Sequence, residues 1–460
     1  MSSSTPAPHH ATKFHELGEL IQASMEQLHI PGVALGMQLG DEVYTAGFGV
    51  NNIEHPLPVD AETLFQVGSI TKTVTATLLL RLMEAGRVDL DVPLRTYLPG
   101  LRLADKAVTA GVTLRHALTH TGGWAGDFFD DCGPGDDALA RMVDRLGELP
   151  QLTPLGTLWA YNNSGFYLAG RVAEVVTGQT YEAACREWVL APLGMERSFF
   201  FATDLITYRV AAGHDAVYDD GVPLIALPWP IARTGHAVGG LVCGVDDLLR
   251  YARFHLGDGR ALSGERLLSA ATLAQMHRPQ VPAANGEHMA LTWFVRDVAG
   301  LRCLRHGGAT NGQAATLWLA PERHFALAVL TNSDRGDELH QAAAAWALEQ
   351  FLGVKAPPLP TLALPPERLA EYAGRYRAQM ADLVIEAQPE GLRLQVVTKG
   401  GFPRADSPPS PMPPPVRLAF CGEDQIIGLE APMQGDRGEF LRGPEGRVQW
   451  LRLAGRLYAP

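Results

Sequence analysis

The segment Gly68-Ser69-Ile70-Thr71-Lys72 puts a hydroxyl and an amine three residues apart, at the start of a strongly apolar stretch that runs to Gly86. On a helix, residues three apart share a face, so Ser69 and Lys72 become neighbours. A serine hydroxyl turns nucleophilic when a nearby group takes its proton, and a partly neutral lysine can take it. Burial and the positive end of a helix dipole both push a lysine toward neutrality. The first-turn N–H groups also suit a developing oxyanion. Taken alone, the segment equally describes a serine that caps a helix.

Two further stretches carry polar groups at useful spacing. In Gly156-Thr157-Leu158-Trp159-Ala160-Tyr161-Asn162-Asn163-Ser164, Tyr161 and Asn163 lie two apart and point the same way if the segment is extended. A tyrosine relays protons and an asparagine amide fixes a carbonyl. Alone, the stretch reads more simply as a turn and cap with a packing tyrosine. In Arg305-His306-Gly307-Gly308-Ala309-Thr310-Asn311-Gly312, paired glycines leave backbone N–H groups open to a ligand, and His306 can donate to a substrate. Alone, it reads as a Gly-rich turn.

Other candidates weigh less. His116 and His120 stand at i and i+4 with no third metal ligand near in sequence, so structural roles are expected. Asp127, Asp130, Asp131, Asp136 and Asp137 crowd a Gly/Pro loop without EF-hand spacing, which reads as a solvated loop near a cleft mouth. Trp124, Trp159 and Trp293 suit a pocket wall or a core equally.

These residues need elements to hold them. Apolar residues at helical spacing predict a helix from Phe14 to Leu28, then strands Val33–Leu39 and Glu42–Phe48 around a Gly40-Asp41 turn. The stretch 69–85 is apolar on most faces, a buried central helix ended by Gly86. Helices follow at 113–119, 164–177, 181–190 and 246–256. Paired strands at 314–319 and 325–331 and a closing helix at 337–352 complete a mixed α+β order, unlike regular βαβ alternation. Residues 1–12 read as a flexible tail and 13–354 as the first domain. Five prolines in residues 355–366 mark a linker. Short alternating segments over 367–460 predict a small all-β barrel, with the run SPPSPMPPP as a surface loop.

Composition closes off several classes. Hydrophobic residues at 46% and charged residues at 19% fit a folded chain of 460 residues. A net charge of −12 disfavours nucleic acid and anionic membranes as partners. No apolar run suits a membrane span, and the N-terminus lacks a secretory pattern, which predicts a cytoplasmic protein. Five scattered cysteines argue against a disulfide framework or a structural zinc site.

Together and in this order, the three motifs resemble the serine β-lactamase and penicillin-binding-protein superfamily, in its branch of class C β-lactamase-like hydrolases. LFQVGSITK (64–72), TLRHALTHTGG (113–123), PLGM (192–195), Gly239-Gly240-Leu241 and Leu330-Thr331-Asn332 fit the same pattern. The resemblance implies an antiparallel sheet with a helical subdomain. It implies Ser69 as the acylated residue, Lys72 as its base partner and Tyr161 as a proton relay. It implies Asn163, His306, Gly307 and Gly308 against the substrate, and an oxyanion hole from the N–H groups of Ser69 and Ala309. No metal or organic cofactor is implied. Glu371-Tyr372-Ala373-Gly374-Arg375-Tyr376 and the closing Gly455-Arg456-Leu457-Tyr458 resemble the lipocalin-like barrel appended to many relatives.

The third motif is HGG where most β-lactamases have KTG, and a histidine supplies the charge for a substrate carboxylate only conditionally. The expected activity is hydrolysis of small esters, amides or peptides, some with D-residues, through Ser69, rather than efficient β-lactam turnover. Acyl transfer or peptide cyclisation shares the same acyl-enzyme, and a non-turning-over sensor is the alternative from another class. The partner implied is a small-molecule substrate, with self-association left open.

Overall fold

A computed structural model of the chain describes residues 8–218 and 221–460. Its first sheet has eight antiparallel strands. Glu42–Gly49 lies at one edge, followed by Gly32–Leu39, Phe325–Thr331, Gln313–Ala320, Leu301–Thr310, Phe294–Val298 and two short pairs at 288–289 and 281–282. The strands Gly32–Leu39 and Phe325–Thr331 are buried on both faces, which is why they read as near-continuous apolar runs. Val33, Leu35, Leu327 and Val329 face the helices Pro8–Leu28 and Gly336–Leu352 through Leu17, Ile21, Leu339 and Ala343. On the other face the helix Val245–Leu256 approaches so closely that a Cβ on Gly36 would touch Leu249 and Val245 at 3.0–3.1 Å.

The first helix starts at Pro8, inside the stretch expected as a tail; residues 1–7 lie outside the described residues. It is tied down by His10 to Glu42, and by Lys13 to the Gln350 carbonyl.

The central helix departs from a regular start. Gly68–Ile70 forms a 3₁₀ turn and the α-helix runs Thr71–Glu84. Almost every residue from Thr71 to Leu82 is buried, including four threonines. Three of the hydroxyls bond back along the chain, Thr73 donating to Ile70 O at 2.7 Å, Thr75 to Thr71 O at 3.2 Å and Thr77 to Thr73 O at 2.9 Å. That back-bonding lets a polar sequence pattern occupy an apolar site. Beside it packs the helix Ser164–Thr177, closed by Gly178 in the left-handed conformation.

Residues 374–458 form a second eight-stranded antiparallel sheet in strict sequence order, Gly374–Arg377 through Arg456–Tyr458. A bridge between Arg377 and Ala459 nearly closes it into a barrel. Its inside is filled with side chains, among them Tyr372, Leu383, Phe420, Phe440 and Leu451. The proline-rich stretch before it is irregular, yet Leu362 pairs with Phe420, so part of it belongs to the barrel wall. Among the described residues, no helix is long and apolar enough to cross a membrane, and the five cysteines are unpaired.

The closing bridge comprises Arg377 N–H to Ala459 O at 2.6 Å and Ala459 N–H to Arg377 O at 2.9 Å. Deleting Ala459-Pro460 should therefore destabilise the barrel by about 1–3 kcal/mol. Calorimetric melting checks this, and an unchanged melting temperature would show that the bridge contributes nothing.

Candidate active site

The 3₁₀ turn decides what Ser69 does. Neither this turn nor the helix that follows has a side-chain cap, so Ser69 is not a capping serine. Its Oγ lies 2.9 Å from Lys72 Nζ, and Nζ donates to the Val238 carbonyl at 2.8 Å. Lys72 has no exposed surface. Loss of hydration drives its pKa well below the ordinary lysine value, Arg456 adds to the effect and Asp127 opposes it. The amine also sits 5.2 Å from the Tyr161 ring and 5.5 Å from that of Phe166.

The Tyr161 hydroxyl is near enough to the Ser69 side chain to be influenced by it. Burial raises the phenol to about 12, against the pull of Ser69 and Arg456. The ring is held by His120, stacked on it at 4.4 Å, and the backbone by its N–H to Gly455 O at 2.8 Å. His120 Nδ1 accepts from Asn162 N–H at 2.9 Å, and burial keeps the ring neutral. Asn162 is the helix-capping residue, its Oδ1 accepting from Gly165 N–H at 2.8 Å. Asn163 is thereby free to reach the cleft wall, where its amide donates to Asp127 Oδ1 at 2.6 Å.

The HGG residues lie on a strand rather than in a turn, in Leu301–Thr310. A Cβ on Gly308 would come within 2.0 Å of Val67 O and 2.8 Å of Ser69 N; one on Gly68 would lie 2.6 Å from Ala309 N. The two glycines thus let the Ser69 and Ala309 backbones touch, at a pair of N–H groups suited to an oxyanion. Gly307 leaves its side of the cleft open, with a Cβ there meeting only Ala315 O at 3.7 Å.

His306 is buried, and its pKa falls to about 3 through lost hydration and then the nearby Lys72. Nδ1 stands 2.6 Å from Gly307 O, which can only accept, so the proton is on Nδ1. Nε2 has no protein partner and presents a lone pair. The conditional charge expected here is absent at neutral pH.

Ser69, Asp127, Tyr161, Asn163 and His306 line one cavity of about 710 Å³ that barrel residues also border, while Lys72 and His120 are not on its wall. Trp159 is on its wall; Trp124 and Trp293 lie in the core. The aspartate loop borders the cleft as expected, but Asp127 is not solvated. Its side chain is 9% exposed and pairs with Arg456 at 3.0 Å. His116 completes the capping box of the helix Leu114–Leu118, its Nδ1 accepting from the Thr113 N–H at 3.2 Å. No group of three or more potential metal ligands occurs among the described residues.

Asp127, Arg456 and Gly455 were missing from the sequence-based set. Arg456 lies 4.7 Å from the Tyr161 ring, and 329 residues separate it from Asp127. Arg452 donates to Trp159 O at 2.8 Å from the same end of the barrel.

The glycine packing makes a direct prediction. Gly308→Ala should lower kcat/KM by about 10²–10³-fold by forcing the two N–H groups apart, with an unchanged circular dichroism spectrum. Near-normal turnover would show that the backbones need not meet there.

The profile of the β-lactamase family matches residues 17–351. Penicillin-binding protein 4 of Amycolatopsis lactamdurans is 32% identical over 370 residues, spanning 78% of this chain and 97% of that protein. Unguisins hydrolase ungD of Aspergillus violaceofuscus is 24% identical over 421 residues, 85% of this chain and 71% of its own length. Among solved structures, that of SurE is similar with a TM-score of 0.74 at 25% identity, covering 98% of this chain and 99% of that one.

Proposed function

The chain belongs to the β-lactamase family, whose members are serine hydrolases, and from that premise we propose that it cleaves small esters, or amides and peptides including those with D-residues, through an acyl-enzyme on Ser69. The observation that carries the proposal is the fully buried Lys72 amine 2.9 Å from the Ser69 hydroxyl, its pKa pushed well below the ordinary lysine value by lost hydration.

In the proposed cycle, Lys72 Nζ takes the Ser69 proton as Oγ attacks the substrate carbonyl. The oxyanion collects the N–H groups of Ser69 and Ala309. As the tetrahedral intermediate collapses, the leaving group takes a proton relayed by Tyr161 from Lys72, and the acyl group stays on Oγ. Water then repeats the sequence, with Lys72 and Tyr161 drawing its proton. A phenol raised to about 12 remains protonated between these steps, as a relay must. Asn163 would hold the substrate's amide or ester side, and the open face of Gly307 would admit it.

Two features set the reading apart from a β-lactamase. His306 offers a lone pair where a carboxylate-binding ammonium would stand. Two of the cations on the cavity wall, Arg456 and Arg305, are already paired, with Asp127 and Glu287. A neutral acyl donor suits both. A cavity of about 710 Å³ also leaves room for a second molecule beside a small donor, so acyl transfer to an amine or alcohol is the second reading.

Intact-mass spectrometry with a short p-nitrophenyl ester, a D-alanyl amide and a cephalosporin tests the proposal. An adduct or turnover is expected with the ester or amide, and it should vanish in Ser69→Ala. Labelling that persists in Ser69→Ala would overturn the assignment. Adding an amine to the ester reaction separates the readings: an amide product would mean transfer.

The pH profile follows from the same groups. Lys72 acts when neutral, so the rate should rise with pH through its depressed pKa and stay level until Tyr161 ionises near 12. Lys72→Arg, which cannot lose its proton, should cost about 10²–10⁴-fold in kcat. Steady-state rates from acid to alkaline pH check both. A rate still climbing toward the ordinary lysine pKa would show that burial does not depress the Lys72 pKa, and a rate that falls with rising pH would show that Lys72 works charged.

A further inference from the structure

The cavity above Ser69 has one stretch of wall that the acyl chemistry leaves unused. Phe129 and Phe402 meet across it edge to face, with centroids 4.9 Å apart and planes at 79°. Both rings line the cavity. They come from opposite banks, Phe129 from the aspartate loop and Phe402 from the loop between the barrel strands Gly391–Thr398 and Val416–Gly422.

Each ring is held by a fastened backbone. Asp127 binds Asn163 and Arg456. The Phe128 carbonyl accepts from the Tyr167 hydroxyl at 2.8 Å. Asp130 pairs with Arg145, and its carbonyl accepts from Thr234 Oγ1 at 2.6 Å. Phe129 is the residue of this run whose ring is turned to the cavity and to its partner across the cleft. On the far bank, Gly401 N–H reaches Ser407 O at 3.0 Å, and Thr398 Oγ1 donates to Ser410 O at 2.8 Å.

We propose that Phe129 and Phe402 form a specificity subsite that takes an apolar side chain, aromatic or long aliphatic, on the substrate that acylates Ser69. This rests on the acyl-enzyme reading for what the side chain is attached to. Asn163 bonds to Asp127, two residues from Phe129, so a substrate held at Asn163 extends naturally toward the ring pair. An apolar group laid against the cavity side of the pair displaces water from both rings and leaves their edge-to-face contact intact. A charged group would lose hydration there, because the nearby Asp130 carboxylate is already engaged by Arg145. A methyl group is too small to reach both rings.

The test is a series of p-nitrophenyl esters, acetate, butyrate, octanoate and phenylacetate, with the whole protein and with Phe129→Ala, Phe402→Ala and Phe129→Leu. The expected result is a preference in kcat/KM for octanoate and phenylacetate over acetate. That preference should fall about tenfold in either alanine variant, mainly through KM, and recover in part in Phe129→Leu. The two alanine variants lie on different loops, so each repeats the test independently of the other's folding. An unchanged preference with Ser69 still acylated would overturn the subsite alone. Equal ester hydrolysis by wild type and Ser69→Ala would overturn the acyl-enzyme reading and the subsite with it.

Discussion

A lysine amine with no exposed surface is the constraint around which the site is built. Among the described residues, the polar atoms that Nζ meets are the Ser69 hydroxyl and the Val238 carbonyl. A charge held there would be very costly, so burial drives the pKa down and the fold must place the few partners well. The turn carrying Val238 is accordingly tied from several sides. Thr75 donates to Ala237 O at 2.9 Å, Leu241 N–H reaches Thr71 Oγ1 at 3.1 Å, and His236 pairs with the buried Glu182 at 2.7 Å. The threonines that look out of place in an apolar helix are part of this fastening.

The second dependency runs across the cleft. Trp159–Asn163 has no regular structure, yet it carries the tyrosine and asparagine on which proton movement and substrate placement would rely. Helix packing holds one side through Asn162 and His120. The barrel holds the other through the Gly455 carbonyl, Arg452 and Arg456. Remove either side and Tyr161 loses the fixed orientation that a proton relay requires. The barrel is in this sense a wall of the site and not a separate module.

Most of the framework was legible from local pattern. The strand Phe325–Thr331 matches its apolar run to the residue, and the helix at 164–177 ends at its glycine. The S-x-x-K pair was readable because its two members are one helical turn apart. What was not legible depends on contacts between distant residues. Asp127 looked like one of five loop aspartates, and only the arrival of Arg456 from the far end of the chain gives it a role. The 3₁₀ start at Gly68 is likewise a tertiary effect, since the strand bearing Gly308 packs against it. His306 was read as a conditional charge, but its neutral state comes from burial and from Lys72, neither of which spacing reveals.

The link from Arg452 to Trp159 spans 293 residues. During synthesis the first domain can collapse as its own unit, since domains fold as they emerge. At that stage the nascent chain already holds its serine and lysine, but the segment bearing Tyr161 still lacks its outer support. That support is therefore completed last, when the final hairpin of the barrel is made, so the segment bearing Tyr161 is the part of the cleft that order of synthesis leaves to the end.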